Sequence, residues 1–169
     1  LLWLFIIFIG LVAIIAKWRG ITSLLGMVAS FFVIFKFILP KILSGSDPVL
    51  IAIIGSMFII PITFYLSHGF NKKTTVAIAG TVIALIITGI LATIFVNTAK
   101  LTGFASEEAG FLQVDKQGVV NIKGLLLAGI IIGVLGVLDD ITISQSAIVS
   151  QIKKANPKLK AEDLYKRAM

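Results

Sequence analysis

Gly124-Leu-Leu-Leu-Ala-Gly-Ile-Ile-Ile-Gly-Val-Leu-Gly-Val-Leu-Asp139-Asp140-Ile-Thr-Ile-Ser-Gln-Ser-Ala-Ile-Val149 reads as a membrane-crossing helix with two carboxylates set inside it. A run of ~20 apolar residues is long enough to span a bilayer. A carboxylate at the centre of such a helix costs roughly 2.5–3.5 kcal/mol on insertion scales. Two adjacent ones require a reason: a polar cavity, a proton or ion to carry, or a neutralising partner.

Composition extends this reading to the whole chain. Its 169 residues are 58% hydrophobic and only 14% charged, with a mean hydropathy of +1.08. Soluble domains average ~45–50% apolar and ~25% charged, so the class is an all-α, polytopic transmembrane helical bundle. Without cysteine there is no disulfide framework and no thiolate metal site. The lone histidine, His68, cannot build an imidazole cluster. Nothing in the sequence implies a cofactor. The formal charge of +7 sits on Lys and Arg at helix ends, where membrane topology accounts for it, and no nucleic-acid partner is expected. The bilayer is the first partner.

Five spans are expected, near 1–16, 21–39, 49–67, 75–96 and 124–149. Pro40 and the cluster Ser44-Gly-Ser-Asp-Pro48 separate the second from the third. Pro61, inside the third, predicts a kink or an unwound turn. Lys17, Arg19, Lys72, Lys73, Lys153, Lys154, Lys158, Lys160, Lys166 and Arg167 fall on one side of this topology. Lys36, Lys41, Lys100, Lys116 and Lys123 fall on the other. The richer side is predicted to be cytoplasmic, which leaves the N-terminal residues outside and the tail inside.

Ser106-Glu107-Glu108 resembles a helix start within the long outer connection 97–123. Val119-Val-Asn-Ile122 reads as a short extended piece, and the nearby acids Glu107, Glu108 and Asp115 as a solvated loop balanced by lysines. Residues 151–169 read as a basic amphipathic helix. Asn156 caps it, Pro157 lies in its first turn, and Ala161, Leu164, Tyr165 and Ala168 share one face. A first residue other than Met and a last turn without a stop signal suggest a segment of a longer protein.

The fifth span carries the candidate site. Gly129, Gly133, Gly136, Asp140 and Ser144 recur at helical spacing, and the glycines predict close packing against a neighbouring helix. Asp140 would point along that seam, with Asp139 rotated ~100° from it, beside Thr142 and Ser146. Asp139 lies ~22 Å along the axis from Gly124, in the inner half of the membrane. Two carboxylates so close in low dielectric do not both stay ionised without help, which gives a shared or exchangeable proton. Alternatively a cation binds Asp139 and Asp140 with Thr142, Ser144, Gln145 and backbone oxygens. A substrate site and a purely structural hydrogen-bonding seam also remain open. Lys36 is expected to snorkel on the outer side, whereas His68 ends the third span nearer the acids. Thr74, Thr81 and Thr88, at seven-residue steps, form a polar stripe suited to helix packing.

The string Leu138-Asp-Asp-Ile-Thr-Ile-Ser-Gln145 and the tail Ala161-Glu-Asp-Leu-Tyr-Lys-Arg-Ala168 resemble the YibE/YibF-like family of bacterial multi-spanning membrane proteins. The earlier spans fit that family in hydropathy and order. The resemblance implies the bacterial inner membrane and leaves function to be argued from residues. Gly136-Val-Leu-Asp-Asp140 is also similar to the acidic pair in the proton-relay helix of RND-type efflux pumps, although the duplication and lysine partner of those pumps are missing here. The leading expectation is a transporter or permease-like subunit with a proton- or cation-binding acidic pair. The alternative is a non-transporting scaffold or assembly subunit, as a homo-oligomer or with another membrane protein. An intramembrane enzyme is not expected, because both acids lie on one helix and cannot converge from two sides on a reacting centre.

Overall fold

A computed structural model describes residues 2–104 and 120–168. Among these the only regular structure is helical, with no strand. Helix α1 spans Leu2–Val33, a π-helical turn spans Ile34–Ile38, and α2 spans Leu39–Leu43. They are followed by α3 (Pro48–His68), α4 (Lys72–Thr98), α5 (Ile122–Ala155) and α6 (Ala161–Ala168). The residues that read as a helix start at Ser106 lie outside the described residues, as does Val119.

The segment Leu2–Leu43 is 42 residues long, or ~63 Å if straight, twice the thickness of a bilayer core. It is broken at Lys17, whose φ of 51° and ψ of −136° are not helical. A Cβ placed on Gly20 would lie 2.7 Å from the Val12 carbonyl oxygen. In a straight helix those residues would be ~12 Å apart along the axis, so the chain doubles back at Lys17 as a tight helical hairpin. Its first leg turns Leu4, Phe5, Ile14 and Ile15 outward, as a lipid-facing helix does.

Pro40 explains the π turn before α2. It lacks an N–H, and its ring would collide with the Lys36 carbonyl in a regular helix. Widening by one residue, with the Leu39 N–H bonded to the Ile34 carbonyl, absorbs that conflict. Pro61 has a milder effect than the sequence suggests. Helix α3 runs unbroken from Pro48 to His68, and Thr63 Oγ1 donates to the carbonyls of Ile59 and Ile60 just below the proline's level.

Three helices start on an Asp or Asn whose side chain accepts a first-turn N–H. Asp47 accepts from Leu50 at 2.8 Å, Asn71 from Thr74 at 2.9 Å, and Asn121 from Gly124 at 3.0 Å. Asn121 is therefore a helix cap with extended backbone, and Ile122, read as extended, already belongs to α5. The tail also differs from expectation. Helix α5 continues to Ala155, Asn156 closes it, and the amphipathic helix is only Ala161–Ala168. Leu164 and Ala168 are half-buried there, while Tyr165 is exposed.

Helices α3, α4 and α5 form the core, with α4 and α5 in the most extensive contact. Ile60, Leu85 and Ile131 are fully buried between them. Gly124 abuts Pro48, so α3 and α5 start at one level and run parallel, with α4 antiparallel. A Cβ on Gly26 would lie 3.6 Å from Thr63 Cα, so the second leg of α1 packs closely on α3 there.

The hairpin makes a signed prediction. Gly→Ala inside a helix ordinarily stabilises by about 1 kcal/mol. Gly20→Ala should instead lower the melting temperature, because its Cβ meets the Val12 carbonyl. Gly129→Ala, whose Cβ would meet no described atom within 4 Å, should not lower it. Thermal unfolding in detergent reads both, and a rise for Gly20→Ala would argue against the hairpin.

Candidate functional site

The site begins with the rotation of α5. Its buried stripe is Gly124, Ala128, Ile131 and Leu135, continued by Thr142 and Ser146. Thr142 Oγ1 meets Thr81 Oγ1 of α4 at 2.6 Å and bonds back to the Leu138 carbonyl at 2.8 Å. Ser146 Oγ donates to the Lys73 carbonyl at 2.8 Å. Thr74 and Thr81 are fully buried and Thr88 half-buried, so the polar stripe of α4 does face its neighbours.

This rotation corrects the expected seam. Gly129, Gly133 and Gly136 lie on the open face of α5, and a Cβ on any of them would meet nothing within 4 Å among the described residues. The glycines share a face as the spacing required, but that face is uncovered here. Asp140, on the same side, is exposed rather than packed into a seam, and Asp139 is half-buried. About 60° of helix rotation separates Asp139 from Thr142, and about 160° separates Asp140 from it. The acids therefore stand beside the α4 contact and not in it.

Both acids line a cleft of about 470 Å³ with Arg19, Gly20 and Ser23 of α1, and Thr63, Ser67 and His68 of α3. Arg19, Ser67 and His68 also border a second, wider space of about 760 Å³ that reaches Asn71, Lys72, Lys73, Gln151 and Lys154. The two share Arg19, Ser67 and His68, so a basic space, or vestibule, adjoins the cleft that holds the acids. The Ser146–Lys73 bond sets the start of α4 level with Ser146, ~10 Å along α5 from the acidic pair. From Gly124 to Ser146 is ~33 Å, close to one bilayer core.

One atom in the cleft stands apart. Asp139 Oδ1 is completely buried and has no hydrogen-bond partner among the described residues. Nor does any described base approach either carboxylate closely enough for an ion pair. Three His, Cys, Asp or Glu side chains that could share a metal ion do not come together among those residues. A buried carboxylate oxygen without a donor is a costly arrangement, and a proton or small cation at that oxygen relieves it.

The five residues grouped from sequence as an ion site do not stay together. Asp139 and Asp140 share the cleft, while the Thr142 hydroxyl is committed to the α4 seam. Gln145 lines a groove on the opposite side, beside Lys72 and Lys73, and Ser144 is exposed. Lys36 is exposed on the π turn and does not line the cleft. The residue that sequence reasoning missed is Arg19. Its place in a short turn between spans reads as topology, and only the tertiary fold brings it to the cleft that holds the acids.

The YibE/F-like protein family matches residues 4–169, nearly the full length. The chain belongs to the YibE/F-like family. With four helices long and apolar enough to cross a membrane, this YibE/F-like protein is an integral, multi-pass membrane protein. Comparison with curated proteins and with solved structures finds no match.

The α4–α5 seam of this YibE/F-like chain predicts a measurable coupling. Thr81→Val and Thr142→Val should each destabilise the fold, with a double-mutant coupling of about 0.6 kcal/mol, the average for hydrogen bonds between membrane helices. Ser144→Ala should be silent. A coupling of zero in a detergent unfolding cycle would mean that the two hydroxyls do not meet.

Proposed function

We propose that this chain is the transport-competent part of a proton-coupled membrane transporter, with Asp139 and Asp140 as the coupling site. The observation that carries this reading is the buried, unpartnered Oδ1 of Asp139 on the floor of a cleft shared with Asp140. A proton fits this site better than a metal cation. The approach passes Arg19, Lys72, Lys73 and Lys154, whose field opposes free cations and attracts anions. Ser67 and His68, which line both spaces, offer groups that pass a proton inward. The solute carried with the proton is then anionic, drawn to the same basic vestibule. Under the positive-inside rule the vestibule opens to the cytoplasm of a bacterium, and the protein resides in the cytoplasmic membrane.

The open glycine face supports the second reading, a scaffold. Gly129, Gly133 and Gly136 are bare among the described residues, and small residues at this spacing receive another membrane helix, from a second copy or a different subunit. In that case Asp140, on the same face, serves assembly.

The two readings part in proteoliposomes that hold the whole protein and a pH-sensitive dye. A panel of small anionic and cationic solutes is applied outside. The transporter reading expects an anion that moves protons with the wild type, and a loss of at least ~100-fold in Asp139→Asn, the scale of a lost proton-transfer group. The variant should insert and elute like the wild type. Proton movement unaltered in Asp139→Asn overturns the coupling role. No solute-linked proton movement, with Asp140→Asn losing its oligomer or partner, establishes the scaffold.

A further inference from the structure

On the side of α5 opposite the cleft, α4 and α5 enclose a groove of about 580 Å³ with two chemically different ends. One end carries Lys72, Lys73, Lys153 and Lys154. The other is walled by Val76, Ala77 and Gly80, and Leu164 of the returning helix α6 also borders the groove. Among the described residues the only ion pair is Lys166–Glu162, so none of the four lysines has an acidic partner there. Lys153 donates to the Leu159 carbonyl at 2.7 Å, which ties the turn before α6 to the basic end and keeps its charge uncompensated.

The groove is oriented as a lipid is. Its basic end lies level with Ser146 and beyond, at the membrane boundary, because Ser146 bonds to Lys73. From Lys72 to Gly80 it descends ~12 Å into the hydrocarbon layer. Val76 is 65% exposed at the entrance, and a Cβ on Gly80 would meet nothing within 4 Å among the described residues. The wall thus presents open apolar surface where an acyl chain would lie.

We infer that this groove binds an anionic diacyl phospholipid, its phosphate among the four lysines and one acyl chain along Val76 and Gly80. Charge complementarity selects the headgroup, since basic pockets between membrane helices hold anionic lipids. The apolar floor favours a lipid over a free phosphate ester.

The test is native mass spectrometry of the whole protein released from nanodiscs of equimolar phosphatidylglycerol and phosphatidylcholine with matched acyl chains. Preferential retention of phosphatidylglycerol is expected, falling about fivefold for each lysine neutralised among Lys72, Lys73, Lys153 and Lys154. Neutralising Lys36, Lys41 and Lys123 instead should leave it unchanged. Gly80→Leu, whose Cβ would meet nothing within 4 Å among the described residues and which leaves the charge unaltered, should release the lipid as well. Equal retention of the two lipids, or retention unaffected by Gly80→Leu, overturns the proposal. Displacement by excess soluble glycerol phosphate would mean a headgroup-only anion site and overturns it too, as would a Gly80→Leu variant that loses a second copy of the chain but keeps its phosphatidylglycerol.

Discussion

The hydroxyl contact between Thr81 and Thr142, 2.6 Å long, fixes how α5 is turned against α4. Everything distinctive about the site follows from that angle. With Thr142 held in the seam, Ser146 reaches the Lys73 carbonyl and sets the axial register. Asp139 and Asp140 then turn toward α1 and α3, and Gln145 falls into the groove on the other flank. In lipid a hydroxyl has no water to fall back on, so even a contact of modest net energy strongly selects the rotation that satisfies it. A rotation of ~100° would bring a carboxylate into the seam or out to lipid, at the cost that acids in hydrocarbon carry.

The acidic floor and the basic mouth belong to one arrangement. The lysines and Arg19 gather where the helices end, which membrane topology alone would bring about. The hairpin at Lys17 turns that topology into local chemistry by folding Arg19 and Gly20 back over Val12, onto the cleft that also holds the acids. The same lysines border two spaces: Lys72, Lys73 and Lys154 line both the vestibule and the lipid-sized groove. One belt of positive charge thus separates an aqueous approach from a lipidic one.

Much of this architecture was legible in the sequence because the bilayer imposes simple rules. Apolar length announces a span, and Pro40 and Pro48 mark its interruptions. Asp47, Asn71 and Asn121 carry the chemistry of helix caps, a signal present in the string that hydropathy alone passes over. Other features were not legible, for physical reasons. Helical spacing shows that Gly129, Gly133 and Gly136 share a face, but not whether anything covers it. Pro61 deletes a donor, yet α3 runs continuous through it. Nothing local connects Arg19 to Asp139, more than a hundred residues later; their lining of one cleft depends on the hairpin and on the packing of α1 against α3 near Gly26 and Thr63.

In the proposed function Asp139 is a reachable carboxyl that holds an exchangeable proton within the membrane. The most direct measurement exposes the whole protein in native membranes to a hydrophobic carbodiimide between pH 5 and 9, with the adduct located by peptide mass spectrometry. Carbodiimides react with the protonated carboxyl, so an adduct at Asp139 is expected to persist near neutral pH and to disappear when the cleft is blocked. Absence of an adduct at Asp139 and Asp140 at every pH would contradict it, because the acids would then be permanently ionised or sealed among packed helices.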